Sequence, residues 1–154
     1  MRGKGGSMPR LENSVFVDAP VGRVFSITND ISRWPTYFDE YKHATVLRIT
    51  CSGSFTELVF ELNNGVTTWR SWRLLNNSSH VVIAERLDPL FPFVFMHLRW
   101  NYVEEAGGTR MTWIQDFELD KAFGMPLEKV LENMQNHTRR NQINIKKFIE
   151  QLPG

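Results

Sequence analysis

The sequence predicts an α+β fold in which a curved antiparallel sheet wraps around one long C-terminal helix. Three observations predict it. Between residues 43 and 119 apolar residues recur with period two, interrupted by turn signals at Ser52-Gly53, Asn63-Asn64-Gly65, Asn76-Asn77 and Gly107-Gly108. That pattern reads as five or six antiparallel strands in a meander. After Pro126 the period becomes helical and runs without Gly or Pro to Leu152, about 26 residues or roughly 39 Å at 1.5 Å per residue. Ahead of both, a strand leads into short helical segments.

Each element has a local reason. In residues 12–18, Val15 and Val17 alternate with polar neighbours and Phe16, and Ala19-Pro20 follows. A proline suits the first turn of a helix, where its missing N–H costs no hydrogen bond. Val21, Val24, Phe25 and Thr28 then recur at helical spacing up to Asn29-Asp30. Pro35 cuts off anything continuing through Ile31 and Trp34, so two short helices, or one broken one, cross here. A strand over 66–74 places Thr67, Trp69, Ser71 and Arg73 on one face and Thr68, Arg70, Trp72 and Leu74 on the other. Neither face is cleanly apolar, and an exposed arginine stacked on tryptophan is the commoner arrangement. Over 95–102, Met96, Leu98, Trp100 and Tyr102 form a legible inner face. Met111, Trp113, Gln115 and Phe117 share a face with one polar interruption, which is either satisfied structurally or lines a pocket.

The long helix carries a stripe of Leu127, Leu131, Met134, Thr138, Asn141, Ile145, Phe148 and Leu152. Its middle is polar. Burying such groups is costly without hydrogen bonds, so either Thr138 and Asn141 face a cavity, or the helix is rotated and His137 and Thr138 sit at an exposed edge. A sheet wrapped around this helix, the helix-grip arrangement, buries the apolar faces of all these elements.

Composition narrows the function. A chain of 154 residues, 42% apolar, has the size of one domain with a core able to surround a cavity. Residues 8–154 read as that domain, and residues 1–7, rich in glycine and charge ahead of Met8, as a leader. A net charge of +1 offers no basic field for nucleic acid. The lone Cys51 excludes an internal disulfide and fits a reducing cytoplasm. No apolar run reaches membrane-spanning length. His43, His80, His97 and His137 lack ligand spacing on one element, so no metal site is expected. Nucleophile-elbow, phosphate-loop and dinucleotide motifs are absent. The carboxylate pairs Asp39-Glu40 and Glu104-Glu105 fall in predicted loops and read as solvated.

The run Trp34-Pro35-x-x-Phe38-x-Glu40-Tyr41 is followed in order by Trp69 to Arg73, Phe93 to Tyr102, Gly107-Gly108-Thr109, Met111-Thr112-Trp113 and Thr138-Arg139-Arg140-Asn141. With these blocks the chain resembles the single-domain aromatase/cyclases of bacterial type II polyketide synthases, of the tetracenomycin and spore-pigment type. These belong to the START-like polyketide cyclase/dehydrase superfamily, whose helix-grip fold pollen allergens share. The resemblance implies an enzyme that folds a carrier-bound poly-β-ketone and catalyses first-ring aldol cyclisation, dehydration and aromatisation. It implies no cofactor, and as partners an acyl carrier protein and the ketosynthase/chain-length-factor complex, with the protein a monomer or homodimer. By motif, the catalytic residues fall on Arg73 and Tyr41, the phenolate of Tyr41 being favoured if Arg73 is near. Substrate-binding positions fall on Trp34, Phe38, Trp69, Ser71, Arg86, Phe93, Met96, Trp100, Gln115, Thr138 and Asn141. The chain departs from the pattern at Thr67, where relatives carry a second tryptophan, and at the flanking Arg70. The alternative is a protein that carries a hydrophobic ligand in the same cavity without chemistry.

Overall fold

A computed structural model describes residues 9–153; the segment read as a leader lies outside them. The order is β1 (Arg10–Val17), α1 (Val21–Thr28), a 3-10 turn (Ile31–Arg33), α2 (Trp34–Tyr37), β2 (His43–Ser52), β3 (Phe55–Asn63), β4 (Thr68–Asn76), β5 (Val81–Arg86), β6 (Phe93–Glu105), β7 (Gly108–Leu119) and α3 (Leu127–Gln151). The seven strands form one antiparallel sheet in the order β1-β7-β6-β5-β4-β3-β2. Residues 43–119 are thus a meander of six strands, and β1 adds to its last strand. The 25-residue α3 lies against the sheet. It is tied to β1 where Gln142 Nε2 donates to the Asn13 carbonyl at 3.1 Å and Lys146 Nζ to the Phe16 carbonyl at 2.8 Å. This is the helix grip.

The turns follow from side chains that mimic backbone acceptors. Asn64 Oδ1 accepts from the backbone N–H of Val66 and Thr67, and Asn76 Oδ1 from those of Ser78 and Ser79. The β6–β7 turn is centred on Ala106 and Gly107, with φ of 50° and 82°, the left-handed pair that a tight two-residue hairpin requires. The turn thus falls one residue before the expected Gly107-Gly108. Gly108 is instead the buried first residue of β7, where an added Cβ would meet Phe16 Cζ and the Val17 carbonyl oxygen, each at 2.6 Å. Backbone cannot yield as a flexible side chain can. Gly108→Ala is therefore expected to cost about 1–3 kcal/mol and lower the unfolding temperature by roughly 5 °C, read by thermal denaturation.

The structure departs from the sequence reading at Pro35, at the start of β4 and in the buried stripe of α3. Pro35 opens α2, near its first position, rather than ending a helix. β4 starts at Thr68, and Val66 is 91% exposed in the preceding turn. The buried stripe of α3 is Val130, Thr138, Asn141, Gln142, Ile145 and Ile149, with Leu127 exposed. Spacings of three and four both satisfy a helical period, so only the surface under the helix decides which chain of residues is covered. Phe148, expected in the stripe, sits half-buried against Tyr37, ring centroids 5.2 Å apart.

The core has two parts. The larger contains Val17, Val24, Ile31, Phe60, Val82, Met111 and Ile145, and the smaller contains Met96, Phe117 and Val130. Residues of both, Phe60 and Met96 among them, form walls of a cavity.

Candidate active site

Alternation along β4 turns Trp69, Ser71 and Arg73 inward, and Arg73 is 0% exposed. The C-terminal end of α1 anchors the guanidinium. Arg73 Nε donates to Asn29 Oδ1 at 2.8 Å, while Asn29 Nδ2 donates to the Phe25 carbonyl and to the Tyr102 hydroxyl. The Tyr102 and Thr28 hydroxyls complete the cluster at 2.6 Å from each other. The cation faces aromatic rings, 4.1 Å from the Trp100 centroid and 5.1 Å from that of Trp34. Trp100 is backed by Trp113, stacked at 4.1 Å and 9°. A guanidinium buried this way needs the ring faces, because water no longer solvates it.

The cavity, about 220 Å³, is lined by Trp34, Tyr41, Trp69, Ser71, Arg73, Arg86, Phe93, Met96, Gln115 and Thr138. An adjoining recess of about 100 Å³ is lined by Phe38, Trp100, Trp113 and Asn141, and shares Trp34, Glu40, Tyr41, Gln115, His137 and Thr138 with the main chamber. Every position read as catalytic or substrate-binding lies on one of these two chambers. The structure also settles the alternatives for the polar interruptions. Thr138 Oγ1 donates to Gln115 Oε1 at 3.0 Å, and Thr138 and Asn141 are 6% and 3% exposed. The helix is not rotated outward.

Burial sets the protonation states. It lowers the Arg73 pKa to about 10, against the opposing influence of Tyr102 and Tyr41, so the group is still cationic at neutral pH. Burial also lowers Arg86. Tyr41 is raised above the usual phenol value, by desolvation first and the Glu40 carboxylate second, with Arg86 and Arg73 only partly offsetting them. This corrects the sequence expectation. Tyr41 is a neutral phenol, because removing a charge-bearing oxygen from water outweighs the pull of the two cations. Tyr102 is pushed up to about 12 for the same first reason.

The polar atoms left without a protein partner are lopsided. Arg73 Nη1 and Nη2, Arg86 Nη1 and Trp113 Nε1 are donors, and Asn141 Oδ1 is the one acceptor among the described residues. Buried polar groups are almost always satisfied, so four spare donors around two chambers fit a ligand rich in acceptor oxygens.

Among the lining residues not found from the sequence are Glu40 and His137. Glu40, set aside as solvated, lines both chambers, and its Oε1 lies 2.9 Å from His137 Nε2 and 3.4 Å from Asn141 Nδ2. On the other side of the ring, Arg140 Nη2 lies 2.8 Å from His137 Nδ1, and Arg140 Nε donates to Asp39 Oδ2. Only Asp39 of that acidic pair is a solvated residue. The one available signal was adjacency to Tyr41 in the motif run. Glu104 and Glu105, read as loop, end β6, with Glu105 paired to Arg110. At the family departure, Thr67 precedes β4 and Arg70 forms a two-pronged pair with Asp88 outside the cavity, holding that carboxyl at about 2. The tryptophan wall on this strand thus begins at Trp69. Among the described residues no group of three His, Cys, Asp or Glu is placed to hold a metal ion, and no helix is long and apolar enough to cross a membrane.

The His137 pKa is raised, chiefly by the hydrogen bond to Glu40, with desolvation and Arg140 opposing. A histidine that binds its proton more tightly when folded adds stability below the unfolded value of 6.5, and that contribution is lost as pH rises through the folded value. An NMR titration is expected to show the His137 imidazole above 6.5 in the wild type and closer to it in Glu40→Gln.

A seven-stranded sheet gripping a long helix over a buried arginine and an aromatic-walled cavity defines a class, the helix-grip proteins with an internal chamber. The particular family follows from comparison. Residues 8–144 match the family described as polyketide cyclase / dehydrase and lipid transport, and the chain belongs to it. A Streptomyces cyaneus protein assigned as a polyketide cyclase is 39% identical over 110 residues, covering 70% of this chain and 72% of that one. One from Streptomyces halstedii with the same assignment is 32% identical over 105 residues, covering 67% and 95%. The Zhui aromatase/cyclase of Streptomyces sp. R1128 shares the fold, with a TM-score of 0.72 at 18% identity over 94% of each chain.

Proposed function

We propose that this protein is an aromatase/cyclase that folds a carrier-bound poly-β-ketone in the cavity and catalyses its regiospecific first-ring aldol closure, dehydration and aromatisation. The observation that carries the reading is the excess of unpartnered donors centred on Arg73. In its keto form a poly-β-ketone presents an acceptor oxygen on every second carbon and no donor, the complement of this lining. The fixed Arg73 cation, held by Asn29, stabilises the oxygen on which negative charge develops as the enolate forms or the new carbon–carbon bond closes. Tyr41, a neutral phenol, gives the proton that the resulting alkoxide needs. Rigid walls of Trp34, Trp69 and Trp100 hold one reacting pair of carbons together among the many a flexible chain could offer. A main chamber of about 220 Å³ falls below the roughly 300–1,000 Å³ of sites that swallow whole drug-sized ligands. It suits the ring-forming segment, with the rest of the chain tethered outside.

Aldol closure and dehydration are redox-neutral and call for no cofactor. The partners in this reading are the acyl carrier protein that presents the chain and the ketosynthase/chain-length-factor complex that makes it, all in the cytoplasm. The test is a minimal polyketide synthase reconstituted with and without the protein, its products identified by mass spectrometry and NMR. One first-ring aromatic product replacing shunt products is expected. Unchanged products with synthases of several chain lengths would favour ligand carriage, which the family's description includes. A carrier should then hold its ligand equally well after Arg73→Leu.

A further inference from the structure

Ring closure begins with loss of a proton from a methylene between two ketones, and neither residue named so far can accept it. Arg73 is a cation and Tyr41 a neutral phenol. Of the residues lining the main chamber, Glu40 and Glu85 are the carboxylates, and Glu85 is engaged with His97 outside, 3.3 Å away. Glu40 lines both chambers beside Tyr41. Resting on the cyclase reading, we infer that Glu40 is the general base of the cyclisation, with His137 and Asn141 as the residues that position its carboxylate.

The geometry is that of a held base. In the neutral imidazole, Nδ1 accepts from Arg140 Nη2 and the tautomer is thereby set, leaving Nε2–H to donate to Glu40 Oε1. Asn141 Nδ2 approaches the same oxygen, which leaves Oε2 outside this pair of contacts. Asp39 fixes Arg140 from behind, so the chain Asp39–Arg140–His137–Glu40 runs from the surface to the cavity wall. A structural ion pair at the rim would need neither the tautomer lock nor a place on the walls of both chambers.

The proton accounting closes on these groups. The methylene C–H bond breaks, its proton passes to a Glu40 oxygen, and its electron pair enters the enolate, whose oxygen faces Arg73. The enolate carbon bonds to the second carbonyl carbon, whose oxygen becomes an alkoxide and takes the Tyr41 phenolic proton. The proton on Glu40 then returns to the Tyr41 oxygen, restoring both. For dehydration Glu40 removes a second proton from the same carbon, the carbon–oxygen bond breaks, and the departing hydroxyl leaves as water with the Tyr41 proton. Glu40 again restores Tyr41.

The test compares the wild type, Glu40→Gln and His137→Gln in the reconstituted synthase, with binding of 1-phenylbutane-1,3-dione followed by quenching of tryptophan fluorescence, and thermal unfolding as a check on folding. Glu40→Gln keeps the side chain's size and an acceptor for His137. Its rate of first-ring product is expected to fall about 100-fold, with diketone binding within about two-fold of wild type and the unfolding temperature kept. His137→Gln, which retains an N–H donor, should keep at least about a tenth of the rate, as a positioning residue would. Near-wild-type cyclisation by Glu40→Gln overturns the assignment, and so does a loss of diketone binding that matches the loss of rate. A wild-type protein that leaves the products unchanged overturns the cyclase reading itself, a result separable from failure of the base.

Discussion

Arg73→Met is expected to lower the rate of first-ring product about 10²–10³-fold while leaving the protein as stable as the wild type or more so. The side chain is fully buried, and two of its nitrogens make no hydrogen bond within the protein. Its desolvation is the dominant influence on its pKa. The fold therefore carries a cation whose removal from water costs several kcal/mol, against a gain from the ring faces of about 2 kcal/mol. Methionine fills a similar volume without that charge. It leaves Asn29 Oδ1 without its Nε donor, a cost of about 1–3 kcal/mol, so the balance is neutral to favourable. Product analysis and thermal unfolding read the two halves separately. A fall of more than about 5 °C would show that the cation holds the fold together, and retained product would remove it from the chemistry. Stability given up at a site for the sake of reactivity is the expected signature of a catalytic group.

Trp100→Ala should produce the largest loss of stability at the site, about 3–5 kcal/mol, or roughly 10–15 °C in unfolding temperature for a chain of this length. Trp100 is 4% exposed, stacks on Trp113, and carries the Arg73 cation on its face. Truncation opens a void between the cavity and the core, strips Arg73 of its nearest ring and frees the Trp113 indole to tilt. On the cyclase reading, cyclisation should persist with a broader product distribution, since a rigid wall of the cavity has moved. Trp100→Phe keeps a ring over the cation and is expected to lose less than half as much stability. Urea denaturation of both variants checks this, and equal losses would show that area alone, not stacking and the cation, sets the cost.

Much of this protein could be read before its fold was known, and the reasons are local. Period two between residues 43 and 119 forces alternate faces. Period 3.6 without Gly or Pro after Pro126 forces one long helix. Polar residues inside both apolar rows, Gln115 and Thr138, left two readings open, a satisfied structural group or a pocket wall. In the structure they are both, hydrogen-bonded directly to each other on the cavity wall. On β4 alternation alone was not enough, because both faces carry a tryptophan and an arginine. The inward pair, Trp69 and Arg73, was distinguished only by resemblance. In the structure the outward pair is occupied elsewhere, Arg70 with Asp88 and the Trp72 indole with Glu57.

The order of elements, the sheet-and-helix architecture and the inner face of β6 were determined by the sequence itself, because periodicity and turn chemistry act between neighbours in the chain. The partners of the polar groups were decided by tertiary structure alone. Glu40 reaches Asn141 and its neighbour His137 across a separation of 101 residues to Asn141, and Arg73 reaches Asn29 across 44. Tyr41 was expected to lose its proton readily and instead holds it tightly. Charge and hydration act through space: the balance between two nearby cations, one carboxylate and the loss of water depends on distances that no spacing along the chain records.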